Sequence, residues 1–234
     1  MIVEFIGLPA SGKSTLAKSI YNELKNKKTY NIEIIYPLSE LYKKKWITRN
    51  VFKLFAVIKH CILNFKDLIK VYTVVTKSQQ KNRSDIYRLI FNLLFYLHNI
   101  NNFKNSNKLV IFDEGLAHHL WAISINSEVN DLKYIENFIE GYIEDYIAMI
   151  IKVECPLHIV QERMLARRDN NSRHIHLANN LKKSYDNLNE IIKLFIKNKQ
   201  SFIVVRNENE SDITKNSILI TKKIVEWQYN NPEH

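Results

Sequence analysis

Nine consecutive residues carry the strongest chemical pattern in the chain. Gly7-Leu8-Pro9-Ala10-Ser11-Gly12-Lys13-Ser14-Thr15 satisfies G-x-x-x-x-G-K-[ST], after the apolar run Ile2 to Ile6 and before the helical run Leu16 to Ile20. Gly7 and Gly12 admit backbone torsions that a side chain obstructs, so successive N–H groups converge as an anion nest. A helix beginning near Lys13 adds the positive end of its dipole. The Lys13 ammonium then neutralises phosphate oxygens, and the Ser14 hydroxyl is a Mg²⁺ ligand. Glycine is scarce, four residues in 234, and two of them fill the two required positions. A chance match is therefore the weaker reading.

A second group follows Leu109-Val110-Ile111-Phe112, where Asp113-Glu114-Gly115 places two carboxylates at the end of an apolar run. One acid at such a place holds a metal's water shell, and another takes the proton of an acceptor hydroxyl. Asp113 is read as the metal residue and Glu114 as the base or orienting group, though the two roles can be exchanged. His118 and His119 follow closely and are read as surface or core residues rather than ligands. A third group is cationic: Arg163, Arg167 and Arg168, then the polar run 169–174 with Arg173. Arg163 and Arg167 share a helix face at a spacing of four, and guanidinium forks match the charge of a phosphoryl group in transfer. Residues 163–176 are accordingly expected to form a lid that excludes water.

These residues need elements to hold them. Five short apolar runs read as buried strands: Ile2 to Ile6, Ile32 to Tyr36, Leu109 to Phe112, Ala148 to Val153, and Phe202 to Val205. Helical stretches lie between them, over Lys13 to about Lys27, Leu41 to Asn99 as one long helix or several, Asp131 to Tyr146, Leu157 to Arg168, Leu177 to Asn198 and Ser211 to Gln228. That alternation predicts an α/β fold with a mainly parallel five-stranded sheet, ligands binding beyond the strands' carboxyl ends. Residues 40–105 break the rhythm and read as a helical insertion after the second strand, within one domain spanning 1–234. The start of the chain runs directly into the glycine loop rather than a cleavable signal, and no stretch of 18 apolar residues occurs, so a cytoplasmic protein is expected. Cys61 and Cys155 show neither disulfide-framework nor zinc-site spacing.

The succession of phosphate loop, acid at the end of the third strand, strand followed by Pro156, then R-x-x-x-R-R from Arg163 resembles the P-loop nucleoside and nucleotide kinases. Thymidylate kinase is the nearest in pattern, and the resemblance covers about residues 1–40 and 105–228. It implies the three-layer α/β/α architecture of P-loop NTPases and transfer of the γ-phosphoryl group of ATP with Mg²⁺. It also implies phosphate-side roles for Arg163, Arg167 and Arg168. Two departures stand out. Glu114 replaces the arginine that clamps an acceptor phosphate in thymidylate kinases, and Pro9 stands where their loop usually has an acid. Both shift weight toward an acceptor hydroxyl on a nucleoside, sugar or glycan precursor. The loop and lid are similar to those of thymidylate-kinase-like proteins in bacterial surface-polysaccharide gene sets.

The net charge of +10 is concentrated rather than spread. Between Lys43 and Arg83 stand eleven cations and one acid, Asp67, which leaves the rest of the chain neutral. Apolar residues 51, 54, 55, 58, 62, 65, 69 and 72 recur at helical steps and predict one buried face. The cations are read, in descending order, as a solvated face, a platform for an anionic or membrane-surface partner, and a nucleic-acid groove. The acids Glu136, Glu140, Glu144 and Asp145 read as a solvent face. No N-K-x-D sequence follows Asn26-Lys27 or Asn107-Lys108, which argues against a GTPase. A nucleotide-switched binding protein that docks a partner through the insertion is the alternative to a kinase.

Overall fold

The computed structural model describes residues 1–26, 33–36, 45–104, 106–140, 147–166, 180–197 and 201–230. Five strands form one sheet: β1 (Ile2–Ile6), β2 (Ile34–Ile35), β3 (Leu109–Phe112), β4 (Met149–Glu154) and β5 (Ser201–Arg206). Their order is β2-β3-β1-β4-β5, and all neighbours run parallel. β1 is central, aligned at Val3 with Ile111 on one side and Met149 on the other. All five of its residues are buried, as expected of a parallel strand covered on both faces.

Nine helices occur among the described residues: α1 (Lys13–Asn26), α2 (Trp46–Leu63), α3 (Phe65–Lys77), α4 (Arg83–Phe103), α5 (Leu116–Ile125), α6 (Lys133–Glu140), α7 (Leu157–Leu165), α8 (Leu181–Lys197) and α9 (Glu210–Asn230). Helices α1 and α9 cover one face, where Leu16, Ala17, Ile20, Ile220 and Ile224 meet Val3, Phe5 and Ile151. On the other face Ile2, Ile6, Phe112 and Ile150 pack with Leu116, Leu120, Trp121, Val160, Ile191 and Phe195. The result is the expected three layers. Chain order steps from β1 outward to β2 and returns through β3, then crosses β1 to β4. The carboxyl ends of β1, β3, β4 and β5 therefore share one rim, with a switch of direction beside β1.

Two expectations are corrected here. α5 falls in a stretch that carried no helix assignment. Its sequence, LAHHLWAISI, is apolar all round and buried on most sides, so it has no 3.6-residue stripe to read. The insertion differs more sharply. Its three helices fit the expectation of one or several, but the face predicted to be buried is the exposed one: Phe55 is 67% exposed, Ile62 74% and Phe65 62%. Ala56, Val57 and His60 are the buried residues of α2 instead, on the side turned to α4. Small side chains allow close helix approach, and the larger apolar side chains are left outside. Asn64 interrupts the helix with φ −131° and ψ 58°, its N–H bonding to the His60 carbonyl, and His60 Nε2 stands 3.1 Å from Asp67 Oδ2 across the break. No helix among the described residues is long and apolar enough to cross a membrane. Lys43, Lys44, Glu144 and Asp145 lie outside the described residues, as do Ile32 of the second expected strand and the ends of several expected helices.

Candidate active site

The loop between β1 and α1 turns on two residues with positive φ, Ala10 at 64° and Gly12 at 93°. L side chains rarely adopt the second value, and a Cβ on Gly12 would overlap the Asn207 side chain. Asn207 is 1% exposed and sits just beyond β5. Its backbone N–H donates to the Glu154 carbonyl at 2.8 Å, and its side-chain amide donates to the Ser11 carbonyl at 2.8 Å. The loop is thus braced from behind by the closing strand. Lys13 opens α1, and its buried ammonium donates to the Gly7 and Leu8 carbonyls, each at 2.9 Å. Leu8 is buried, Pro9 and Ala10 are half-buried, and Ser14 and Thr15 are exposed toward a cleft.

Asp113 leaves β3 at the same rim and is buried. Burial raises its pKa, the nearby Glu114 charge raises it further, and hydrogen bonds from Ser14 and Tyr36 oppose the rise. Its Oδ1 has no hydrogen-bond partner. A hydroxyl and a carboxylate with a spare oxygen are hard oxygen donors of the kind Mg²⁺ takes through one or two protein groups plus phosphates. Ser14 and Asp113 therefore fit the ion. Glu114 is 47% exposed at the cleft, and His118 Nε2 lies 3.7 Å from its Oε1. Burial, then the charge of Lys13, depresses the His118 pKa to about 3; burial, then His118, holds His119 at about 4. Both imidazoles are neutral at ordinary pH.

Arg163, on α7, reaches back to the loop. Its Nη1 donates to the Ala10 carbonyl at 3.4 Å and faces Cys155 Sγ at 3.5 Å, and its Nη2 donates to the Glu208 carbonyl at 2.7 Å. The guanidinium ties the loop to the segment after β5. Arg167, Arg168 and Arg173, and with them the expected lid beyond Ala166, lie outside the described residues.

A cleft of about 810 Å³ joins the loop to an opposite wall. Pro9, Lys13, Ser14 and Thr15 line one end. Lys81, Arg88 and Asn92 on and before α4, Trp121 and Asn126 on and after α5, and Lys183 and Asn187 from α8 line the other, and Glu114 and His118 also belong to the lining. Arg88 is paired with Asp85 at 2.7 Å. α8 is joined to α5 by the bond from Trp121 Nε1 to the Ser184 carbonyl at 2.8 Å. The far wall was absent from the sequence reading, as were Asn207 and Tyr36. The one signal available for these two was position: Tyr36 ends one apolar strand run and Asn207 stands just past another, where ligands gather.

No family model matches the sequence, and neither does any curated protein. Solved structures do match. Deoxyadenosine kinase from M. mycoides with the products dCMP and a flexible dCDP aligns over 97% of this chain and 100% of its own, at 18% identity and a TM-score of 0.54. The same kinase with bound dATP gives 96%, 99%, 18% and 0.54. Thymidylate kinase from Ehrlichia chaffeensis covers 96% of this chain and 98% of its own at 16% identity and a TM-score of 0.48. What this chain shares with the deoxyadenosine kinase at that identity is the fold.

Proposed function

We propose that the chain is a phosphotransferase that moves the γ-phosphoryl group of ATP to the hydroxyl of a small acceptor, a nucleoside or sugar, within one kinase domain whose segment 40–105 forms the cap. The observation that carries this reading is one cleft lined by Lys13, Ser14 and Glu114 together with a set of amides, the Trp121 indole, Lys81, Lys183 and the Arg88 guanidinium paired with Asp85. Lys13 and the loop N–H groups hold the phosphates, and Ser14 and Asp113 would hold Mg²⁺, which would supply neutralising charge for the phosphates. Glu114 accepts the acceptor's hydroxyl proton. That proton passes to the carboxylate as the new O–P bond forms and the bond to the β-phosphate oxygen breaks. Arg163 steadies the loop, and Arg167, Arg168 and Arg173 are the candidates for the transferred group. Glu114 at the cleft favours an acceptor hydroxyl over a second phosphate, which its carboxylate would repel, while Lys81, Lys183 and Arg88 also line the cleft and Arg88 is paired with Asp85.

The test is acceptor-dependent ATP consumption over a panel of nucleosides, nucleotides and sugars, with Lys13→Ala beside the unmodified chain. Transfer is expected to fall roughly 100-fold or more with the fold intact. Acceptor-independent hydrolysis, or full transfer by the variant, rejects the reading. The exposed apolar stripe of α2 and α3, flanked by Lys59, Lys66 and Lys77, further supports docking of the insertion on an anionic lipid surface.

A further inference from the structure

Glu4 lies outside the cleft but is bonded to two elements that build it. It is on the central strand, 1% exposed, a carboxylate within an apolar layer. One oxygen accepts the Leu116 N–H at 2.8 Å, and the other accepts the hydroxyl of Tyr96 from α4. α5 has no cap of its own: Gly115, at its N-cap, provides no side chain, and the first turn contains no acid. The carboxylate from β1 takes that place, meeting the helix's unbonded N–H groups and its positive dipole end. A Cβ on Gly115 would overlap the Glu4 side chain, so only glycine fits there. The residue before that glycine is Glu114, and the first turns of α5 carry His118 and Trp121.

We propose that Glu4 is a positioning residue for the acceptor side of the cleft: its carboxylate caps α5 and clamps Gly115, fixing where Glu114 and His118 stand relative to Lys13. The catalytic consequence rests on the kinase reading above, whereas the structural one does not. Burial is the larger influence on Glu4 and lifts its pKa from 4.5 to about 7, against the hydrogen bonds from Tyr96, Leu116 and Ala117. The titratable groups facing it are Tyr96 and, with ring centroids 5.2 Å from Tyr96, His119; β3 and β4 present Phe112 and Ile150 in register. Tyr96 is pushed well above its usual value, and both histidines stay neutral down to about pH 4. Within this set, Glu4 alone titrates near neutrality. Its protonated form faces two donors with a proton of its own, so Tyr96 must turn its hydroxyl away and the clamp loosens.

The experiment uses Glu4→Gln, which keeps shape and an oxygen for Leu116 but does not titrate, and Tyr96→Phe, which removes a donor to the ionised form. Trp46→Phe and Trp227→Phe in the parent and in both variants leave Trp121 of α5 as the sole indole. Three results are expected. Trp121 emission titrates with a midpoint near pH 7 in the parent, is flat in Glu4→Gln, and shifts to a higher midpoint in Tyr96→Phe. In transfer assays Glu4→Gln loses the same ionisation from the kcat profile and lowers kcat about 10-fold while KM for ATP stays within about twofold, the split expected when alignment rather than nucleotide binding is lost. A parent and Glu4→Gln with the same emission midpoint, or with kcat within twofold at every pH, overturns the proposal. Should no acceptor be phosphorylated by the parent, the kinase reading falls, and the emission titration still decides the role of Glu4.

Discussion

At the scale of single residues, the phosphate loop is held by contacts that span the chain. Gly12 has to accept φ 93° and the close approach of Asn207, whose side-chain amide anchors the Ser11 carbonyl. Gly12→Ala adds a Cβ to both demands at once. Denaturant unfolding of that variant is expected to show a loss of about 1–3 kcal/mol, the range for a non-glycine residue forced into a sparse backbone region, with nucleotide binding abolished. Unchanged stability would mean that the loop adopts another path. The motif itself was readable in the sequence because its residues are contiguous and each has a task that only its type performs. Asn207 was not, because its partner Ser11 stands 196 positions away and a lone Asn after a strand has many ordinary explanations. Arg163 belongs between these cases: its type and helix face were legible, but its engagement by the Ala10 and Glu208 carbonyls depends on how α7 meets the rim.

At the scale of elements, strands were more legible than helices. Each strand is a short apolar run between turns, and in β1, β3 and β4 burial on both faces makes that signal insensitive to what packs around it. Helix α5 was silent because burial on most sides removes periodicity. The α2 stripe was misread because amphipathicity shows that an apolar face exists without saying which neighbour covers it. Glu4 combines both difficulties: a strand residue whose capped helix is 112 positions away. Its elevated pKa has a stability consequence of definite sign. The folded chain binds the Glu4 proton more tightly than the unfolded chain, so this group favours folding fully below pH 4.5, and the contribution is lost as pH rises from there through about 7. The shift corresponds to about 3 kcal/mol. Urea unfolding of the unmodified chain and of Glu4→Gln, at about pH 5 and pH 8, should converge at acid pH relative to alkaline pH, with the variant gaining as pH rises. Parallel pH dependences in the two proteins would contradict the assigned ionisation.

At the scale of the whole molecule, the net charge of +10 separates into two populations once the insertion is folded. Lys53 is turned toward α4, its ammonium 5.2 Å from the Phe95 ring centre, and partial burial, then the charge of Arg49, lowers its pKa against the pull of Glu114. Lys59, Lys66 and Lys77 stand outside, beside Leu54, Phe55, Ile58, Ile62, Phe65 and Ile69. An apolar stripe of that extent exceeds what isolated surface hydrophobics require. With cations at its borders it has the composition of a helix pair lying in a membrane interface, apolar side chains entering the acyl boundary and ammonium groups meeting headgroups. Each surface cation near an anionic leaflet contributes about 1 kcal/mol, so three contribute about 3 kcal/mol, roughly a 100-fold change in partition. Co-sedimentation with phosphatidylserine-containing vesicles is therefore expected at about 0.1 M salt, weakening as salt screens the charges. Neutral vesicles should retain little protein. Replacing Lys59, Lys66 and Lys77 by Glu should abolish binding while leaving phosphoryl transfer unchanged, since none of the three lines the cleft. Failure to bind either vesicle, together with a doubled solution mass that Phe55→Glu or Ile62→Glu returns to that of one chain, would instead assign the stripe to a second copy and remove the membrane reading.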